Sequence, residues 1–94
     1  MKRKMSLALC GGRHNIPQAV DGSVFSGAVD PLDIEELESR AEYVLQFCSE
    51  LNLYVTGLTV AQNAVLNVCR RLEIPVVVWH FNRDTGDYYP QEMT

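Results

Sequence analysis

The stretch from residue 53 to residue 81 constrains the fold more than any other part of the chain. Leu53-Tyr-Val-Thr56 has the aromatic and β-branched content of a strand, and Gly57-Leu58 reads as a tight turn. Thr59 to Leu72 repeats its apolar residues with helical period, and Thr59 and Gln62 are spaced as a capping box at its start. Pro75 to Phe81, with Val76-Val77-Val78-Trp79, then predicts a continuous apolar strand buried on both faces. A strand, a helix and a second strand joined by short connections imply a parallel pair with a right-handed crossover.

The same alternation extends upstream. Ser6 to Cys10 is a short apolar run ended by Gly11-Gly12, which suits a buried strand. Asn15 to Gly22 contains Pro17 and reads as a loop or one helical turn; Ser23 to Val29, interrupted by Gly27, predicts a weak peripheral strand. From Asp30 the period becomes helical, with Ile34, Leu37, Ala41, Val44, Leu45, Cys48 and Leu51 on one stripe. Asp30 or Asp33 can cap this helix, Pro31 suits its first turn, and Asp33, Glu35 and Glu36 favour the positive end of its dipole. Glu36 and Arg40 form an i,i+4 pair. Asn82 to Asp87 has turn chemistry, and Tyr88-Tyr89 suggests an edge strand stopped by Pro90. The fold class expected is α/β: a small Rossmann-like three-layer unit with a mainly parallel sheet and two main helices, one domain over residues 1–94.

Charge narrows the partners. Three of the eight basic residues are Lys2, Arg3 and Lys4, so the rest of the chain sets twelve acids against five bases. Long nucleic acid is a poor partner for such a body, because non-specific affinity comes from Lys and Arg neutralising several phosphates. No run approaches the roughly 18 apolar residues of a membrane span, and the apolar stretch before Cys10 is shorter than the roughly 7–15 residues of an export signal. Cys10, Cys48 and Cys69 form no C-x-x-C pair, so neither a disulfide framework nor a zinc knuckle is expected, and a reducing cytoplasm is. At 94 residues a chain buries roughly 60–65% of its unfolded surface, which makes self-association a route to further burial.

In an open parallel sheet, ligands bind beyond the carboxyl ends of the strands. The residues there are Gly11, Gly12, Arg13, His14 and Asn15 after the first strand, Thr56, Gly57, Leu58 and Thr59 after the middle one, and His80, Asn82, Arg83 and Asp84 at the last. Both histidines and two arginines fall on this edge. Gly11-Gly12 allows close backbone approach, the start of the second helix offers N–H groups to an anion, and Arg13 adds a planar fork of donors suited to phosphate or carboxylate. Neither a P-loop lysine nor G-x-G-x-x-G is present, which argues against ATP hydrolysis and dinucleotide chemistry, and no cofactor is expected. His14 and His80 are the candidate general acid or base, each equally readable as a solvated or structural histidine. Nothing assigns Cys10 a base, and Cys10 with His14 is too small a set for zinc, so no metal is expected. On the second helix, Gln62, Asn63, Asn67, Arg70 and Arg71 make a polar face suited to solvent or to a second copy.

The segment Leu53-Tyr-Val-Thr-Gly-Leu-Thr-Val-Ala-Gln62 resembles the strand–turn–helix motif of CRISPR-associated Rossmann-fold (CARF) sensors, including the small stand-alone CARF-like ring nucleases and phage anti-defence proteins. Leu58 stands where that family often has Gly, and Val60 where Lys or Arg commonly follows. The resemblance implies a homodimer with a cyclic oligonucleotide across its twofold axis, contacted by Thr56, Gly57 and Thr59, with Arg13 and His14 on the neighbouring loop. It implies sequestration or metal-independent cleavage of a second messenger, sequestration being preferred. The competing expectation is a protein-interaction module, of phage or host, with no nucleotide ligand.

Overall fold

The computed structural model describes residues 2–11, 16–55 and 58–93. Its elements run β1 (Arg3–Cys10), β2 (Ser23–Phe25), α1 (Ile34–Leu45), β3 (Cys48–Tyr54), α2 (Thr59–Arg71), β4 (Val76–Asn82) and β5 (Asp87–Glu92). They form one five-stranded sheet in the order β2-β1-β3-β4-β5, in which β2, β1, β3 and β4 are parallel and β5 returns antiparallel. The protein is therefore α/β with a mainly parallel sheet.

The registers Leu7↔Leu53 and Leu53↔Val78 align the inward residues of the three central strands on one face. Leu7, Leu9, Leu51, Leu53, Val76 and Val78 pack there against Leu37, Ala41 and Leu45 of α1 and Ala61, Ala64, Val65 and Val68 of α2. Both helices thus cover the same face. Among the described residues this gives two layers where the sequence suggested three; on the other face Ile16 and Ala19 close over Ala8 and Tyr54 and leave the rest open. Arg71 of α2 joins the helices through Glu38 at 2.8 Å and Glu42 at 3.3 Å.

Several boundaries move for identifiable reasons. Strand β1 begins at Arg3, with the basic head paired sideways: Arg3 to Asp21 at 2.8 Å and Lys4 to Glu50 at 3.4 Å. Helix α1 is capped by Asp33, whose carboxylate accepts the Glu36 N–H at 3.1 Å, but it stops at Leu45, so Cys48 and Leu51 belong to β3. The register steps from Arg3↔Cys48 to Lys4↔Glu50, and this bulge passes over Ser49. It puts Cys48 and Leu51 on the same face at a spacing that imitates a helix. Strand β5 continues through Pro90, which sits opposite Trp79, and the ladder ends with the Met93 N–H donating to Val76 O at 3.1 Å. The β4–β5 turn closes with the Gly86 N–H on Asn82 O at 2.8 Å, and Gly86 has the left-handed φ of 73° that this turn requires.

Candidate functional site

Because β1, β2, β3 and β4 are parallel, their carboxyl ends share one edge, and the helices that follow β2 and β3 begin there. The two helix starts differ electrostatically. Helix α1 supplies its own anions, with Asp33 as cap and Glu35 and Glu36 in the first turn. Helix α2 begins after Leu58, whose side chain makes no capping bond, and its first turn holds no acid. The capping box expected of Thr59 and Gln62 is not formed: Thr59 is already the first helical residue, and the Gln62 N–H donates to Leu58 O at 3.0 Å as part of the helix. Arg70 and Arg71 in the last turn complement the negative end of the dipole, while the positive end is uncompensated by side chains of its own turn.

Of the residues singled out by sequence, Gly12, Arg13, His14, Thr56 and Gly57 lie outside the described residues. Gly11, Thr59, His80, Asn82 and Arg83 are described. Gly11 donates its N–H to Phe25 O at 2.9 Å, and a Cβ there would meet Ser23 Oγ at 2.8 Å, so its lack of a side chain serves the β1–β2 approach. Thr59 is exposed at the start of α2. His80 shares the helix-bearing face with Val76 and Val78; its Nε2 lies 2.8 Å from Gln91 Oε1, and its ring tilts against Tyr89 at 5.3 Å. Asn82 Oδ1 accepts the Asp84 N–H at 2.9 Å, which commits it to the turn. Arg83 is exposed on that turn and, among the described residues, makes no ion pair.

Arg40 organises the chain between β2 and α1. Its guanidinium donates to Ser26 O at 3.0 Å and Ala28 O at 3.2 Å, and lies 5.4 Å from the centroid of the buried Phe25 ring. The sequence offered Arg40 only as the i,i+4 partner of Glu36, which it also is, at 3.7 Å.

Sequence reasoning offered Tyr88 and Tyr89 as cover for a base or a partner, or as edge-strand packing, but missed the aromatic corner that Tyr88 joins on the open face of the sheet. Tyr54 stacks on Trp79 with centroids 5.6 Å apart, Tyr88 meets Tyr54 edge-on at 5.2 Å, and Phe81 meets Tyr88 at 5.3 Å. Trp79 Nε1 donates to Asn52 Oδ1 at 3.0 Å. Burial pushes the Tyr54 and Tyr88 hydroxyls above their ordinary pKa, so both rings stay neutral at any physiological pH. The signal was the alternation Val77, Trp79, Phe81 along β4, hidden because the whole run is apolar.

Two hollows lie away from this edge. One of about 370 Å³ sits at the opposite end of the sheet, between Lys2, Glu42, Tyr43, Leu45, Leu72 and Ile74; one of about 220 Å³ lies beside β4, walled by Leu66, Cys69, Ile74 and Met93. Among the described residues, no three His, Cys, Asp or Glu side chains gather where a metal ion could be held, and no helix is long and apolar enough to cross a membrane. The chain matches no family model, no curated protein and no solved structure.

Proposed function

We propose that this chain is a Rossmann-like protein that binds a small anionic nucleotide at the carboxyl edge of its sheet. The observation that carries this reading is the start of α2, which among the described residues has neither a side-chain cap nor an acid in its first turn. Backbone N–H groups in that setting favour an anion, in contrast to the start of α1, where Asp33, Glu35 and Glu36 already supply negative charge. Arg83 on the β4–β5 turn supplies side-chain charge at the same edge, where Thr59 opens α2; by the sequence reading Gly12, Arg13, His14, Thr56 and Gly57 are its further candidates. By resemblance to CARF-like proteins the ligand is a cyclic oligonucleotide messenger, bound by a homodimer in the cytoplasm.

Sequestration is favoured over cleavage. The described histidine, His80, is held by Gln91 and Tyr89 and is paired with no nucleophile in the described residues. Calorimetry against cyclic di-, tri- and tetranucleotides tests the reading: at least one should bind, and binding by none would end it. Denaturing the complex and analysing the nucleotide then separates the two activities, intact ligand supporting sequestration and multiple-turnover linear product supporting a nuclease.

A protein-interaction module is the second reading, favoured by the apolar residues exposed around α1. Leu32 is 90%, Tyr43 76% and Phe47 58% exposed. A stoichiometric protein partner retained without nucleotide would support it.

A further inference from the structure

We propose that the aromatic corner of the open sheet face is a stacking site for a planar heteroaromatic ring, the base of the nucleotide whose phosphate lies at the strand ends; this rests on the reading above. Strand alternation puts Trp79 and Phe81 on the face opposite the helices, and the registers Tyr54↔Trp79 and Phe81↔Tyr88 bring the four rings together. The inner rings are fixed: Tyr54 is buried between the stacked Trp79 and the edge-on Tyr88, and Trp79 is anchored to Asn52. Phe81 stands at the rim, 50% exposed, against a support that is already rigid. Stacking on such a platform costs little ordering of the protein.

Size and charge select the occupant. Among the described residues, Ile16 and Ala19 pack on one side of this face, and the Lys4–Glu50 ion pair and Glu92 place charge at the far end of its strands. An aromatic side chain contributes roughly 150–250 Å² in all, so the partly covered rings offer far less than the roughly 800 Å² each partner brings to a stable protein interface. That area suits one base. The corner is also continuous with the proposed anion edge: Tyr54 ends β3 just ahead of α2, and Phe81 and Tyr88 flank the turn that carries Arg83. A nucleotide with its phosphate at the edge and its base on Phe81 satisfies both surfaces.

Trp79 is the one tryptophan of the chain, so its emission reports on the corner directly. The test uses the full chain, with calorimetry and Trp79 fluorescence read on the same cyclic di-, tri- and tetranucleotides, and with ribose 5-phosphate as the baseless control. The nucleotide that binds should change Trp79 emission, and ribose 5-phosphate should not. Phe81→Ala and Phe81→Leu should each raise Kd by about 5–150-fold, the usual effect of losing one base–aromatic stack, whereas Phe81→Tyr should stay within about twofold. Circular dichroism checks that each variant is folded; should Phe81→Ala fail to fold, Phe81→Leu and Phe81→Tyr still decide. Calorimetric binding with unchanged Trp79 emission and unchanged affinity in Phe81→Leu would overturn the stacking site and leave the anion edge standing. Full affinity in Phe81→Leu with loss in Phe81→Ala would identify a merely greasy contact and also overturn it. No binding by the wild-type chain would remove both.

Discussion

Replacing Gly11 by alanine separates a packing role from a ligand-contact role at the end of β1. Gly11 does not need a left-handed φ, so alanine is conformationally acceptable, and the reduced freedom of the unfolded chain returns about 0.4–1 kcal/mol. The added Cβ would, however, lie 2.8 Å from Ser23 Oγ and 3.4 Å from Ser23 Cβ, the first well inside van der Waals contact. Overpacking of this kind costs about 1–3 kcal/mol, so the net loss should be about 1 kcal/mol. In a domain of this size that corresponds to a fall in Tm of about 4–8 °C. Ser23→Ala removes the offending oxygen and leaves only the longer contact, so in that background Gly11→Ala should cost under about 0.5 kcal/mol. Urea and thermal unfolding of the four proteins of this double-mutant cycle provide the measurement. Equal cost in both backgrounds would refute the packing argument. A loss of nucleotide affinity that Ser23→Ala does not repair would instead return Gly11 to the ligand site.

Acid should unfold the protein partly through Asp21 and Glu38. The Ser6 N–H, 2.8 Å from the Asp21 carboxylate, and then the Arg3 guanidinium hold Asp21 below its ordinary pKa; the Arg71 guanidinium does the same for Glu38. A carboxylate depressed in the folded state contributes stability that is complete above its unfolded pKa of about 4 and is lost as pH falls through the folded value. Denaturation midpoints of Asp21→Asn should therefore converge on those of the wild type as pH falls from above the unfolded pKa through the folded value, and a constant gap would contradict the assignment. Native-state alkylation near pH 8 should label Cys10 first, because burial pushes the Cys69 thiol up to about 12 and raises Cys48 as well. Mass spectrometry showing Cys69 modified as fast as Cys10 would count against the core placement of α2. Arg40→Ala should cost about 1–2 kcal/mol by releasing the Ser26 and Ala28 carbonyls, and a change within error would show that water replaces it. Sedimentation should show a species larger than 10.6 kDa at micromolar concentration, reduced by Asn67→Glu if the polar face of α2 is the contact.

The strand–helix–strand core was legible because its signals are local. Helix α2 runs Thr59–Arg71 against a reading of Thr59 to Leu72, and β4 runs Val76–Asn82 against Pro75 to Phe81. A cap was foreseen at Asp30 or Asp33, since a short acidic side chain ahead of an amphipathic stripe favours that use, and Asp33 takes it while Asp30 accepts the Leu32 N–H. What failed depended on long-range pairing. The bulge at Ser49 comes from the register against Arg3 and Lys4, some 45 residues earlier in the chain, and no local period reveals it. Likewise, an unbroken apolar run cannot say which of its faces a helix covers, so Val77, Trp79 and Phe81 passed for core. Gly11, Thr59 and Asn82 each stand at a strand end or helix start on the carboxyl edge, whereas the uses of Gly11 and Asn82 depend on partners, Ser23 and Asp84, that only the folded chain supplies.

Pro90 has a consequence for how copies of this chain can meet. In the antiparallel β4–β5 ladder the inward bonds fall on Asp87, Tyr89, Gln91 and Met93, as the Met93 N–H on Val76 O shows, so Tyr88, Pro90 and Glu92 turn their amide positions outward. The middle one of these is a proline without an N–H, and the last bears a negative charge. At the opposite border β2 offers only three residues. Neither border is a template for another strand, which protects the protein from fibrillar growth and from edge-to-edge pairing. Oligomers of this chain are thereby directed to helices, turns or the flat of the sheet, and an assembly that extended the sheet across β5 would have to displace Pro90 first.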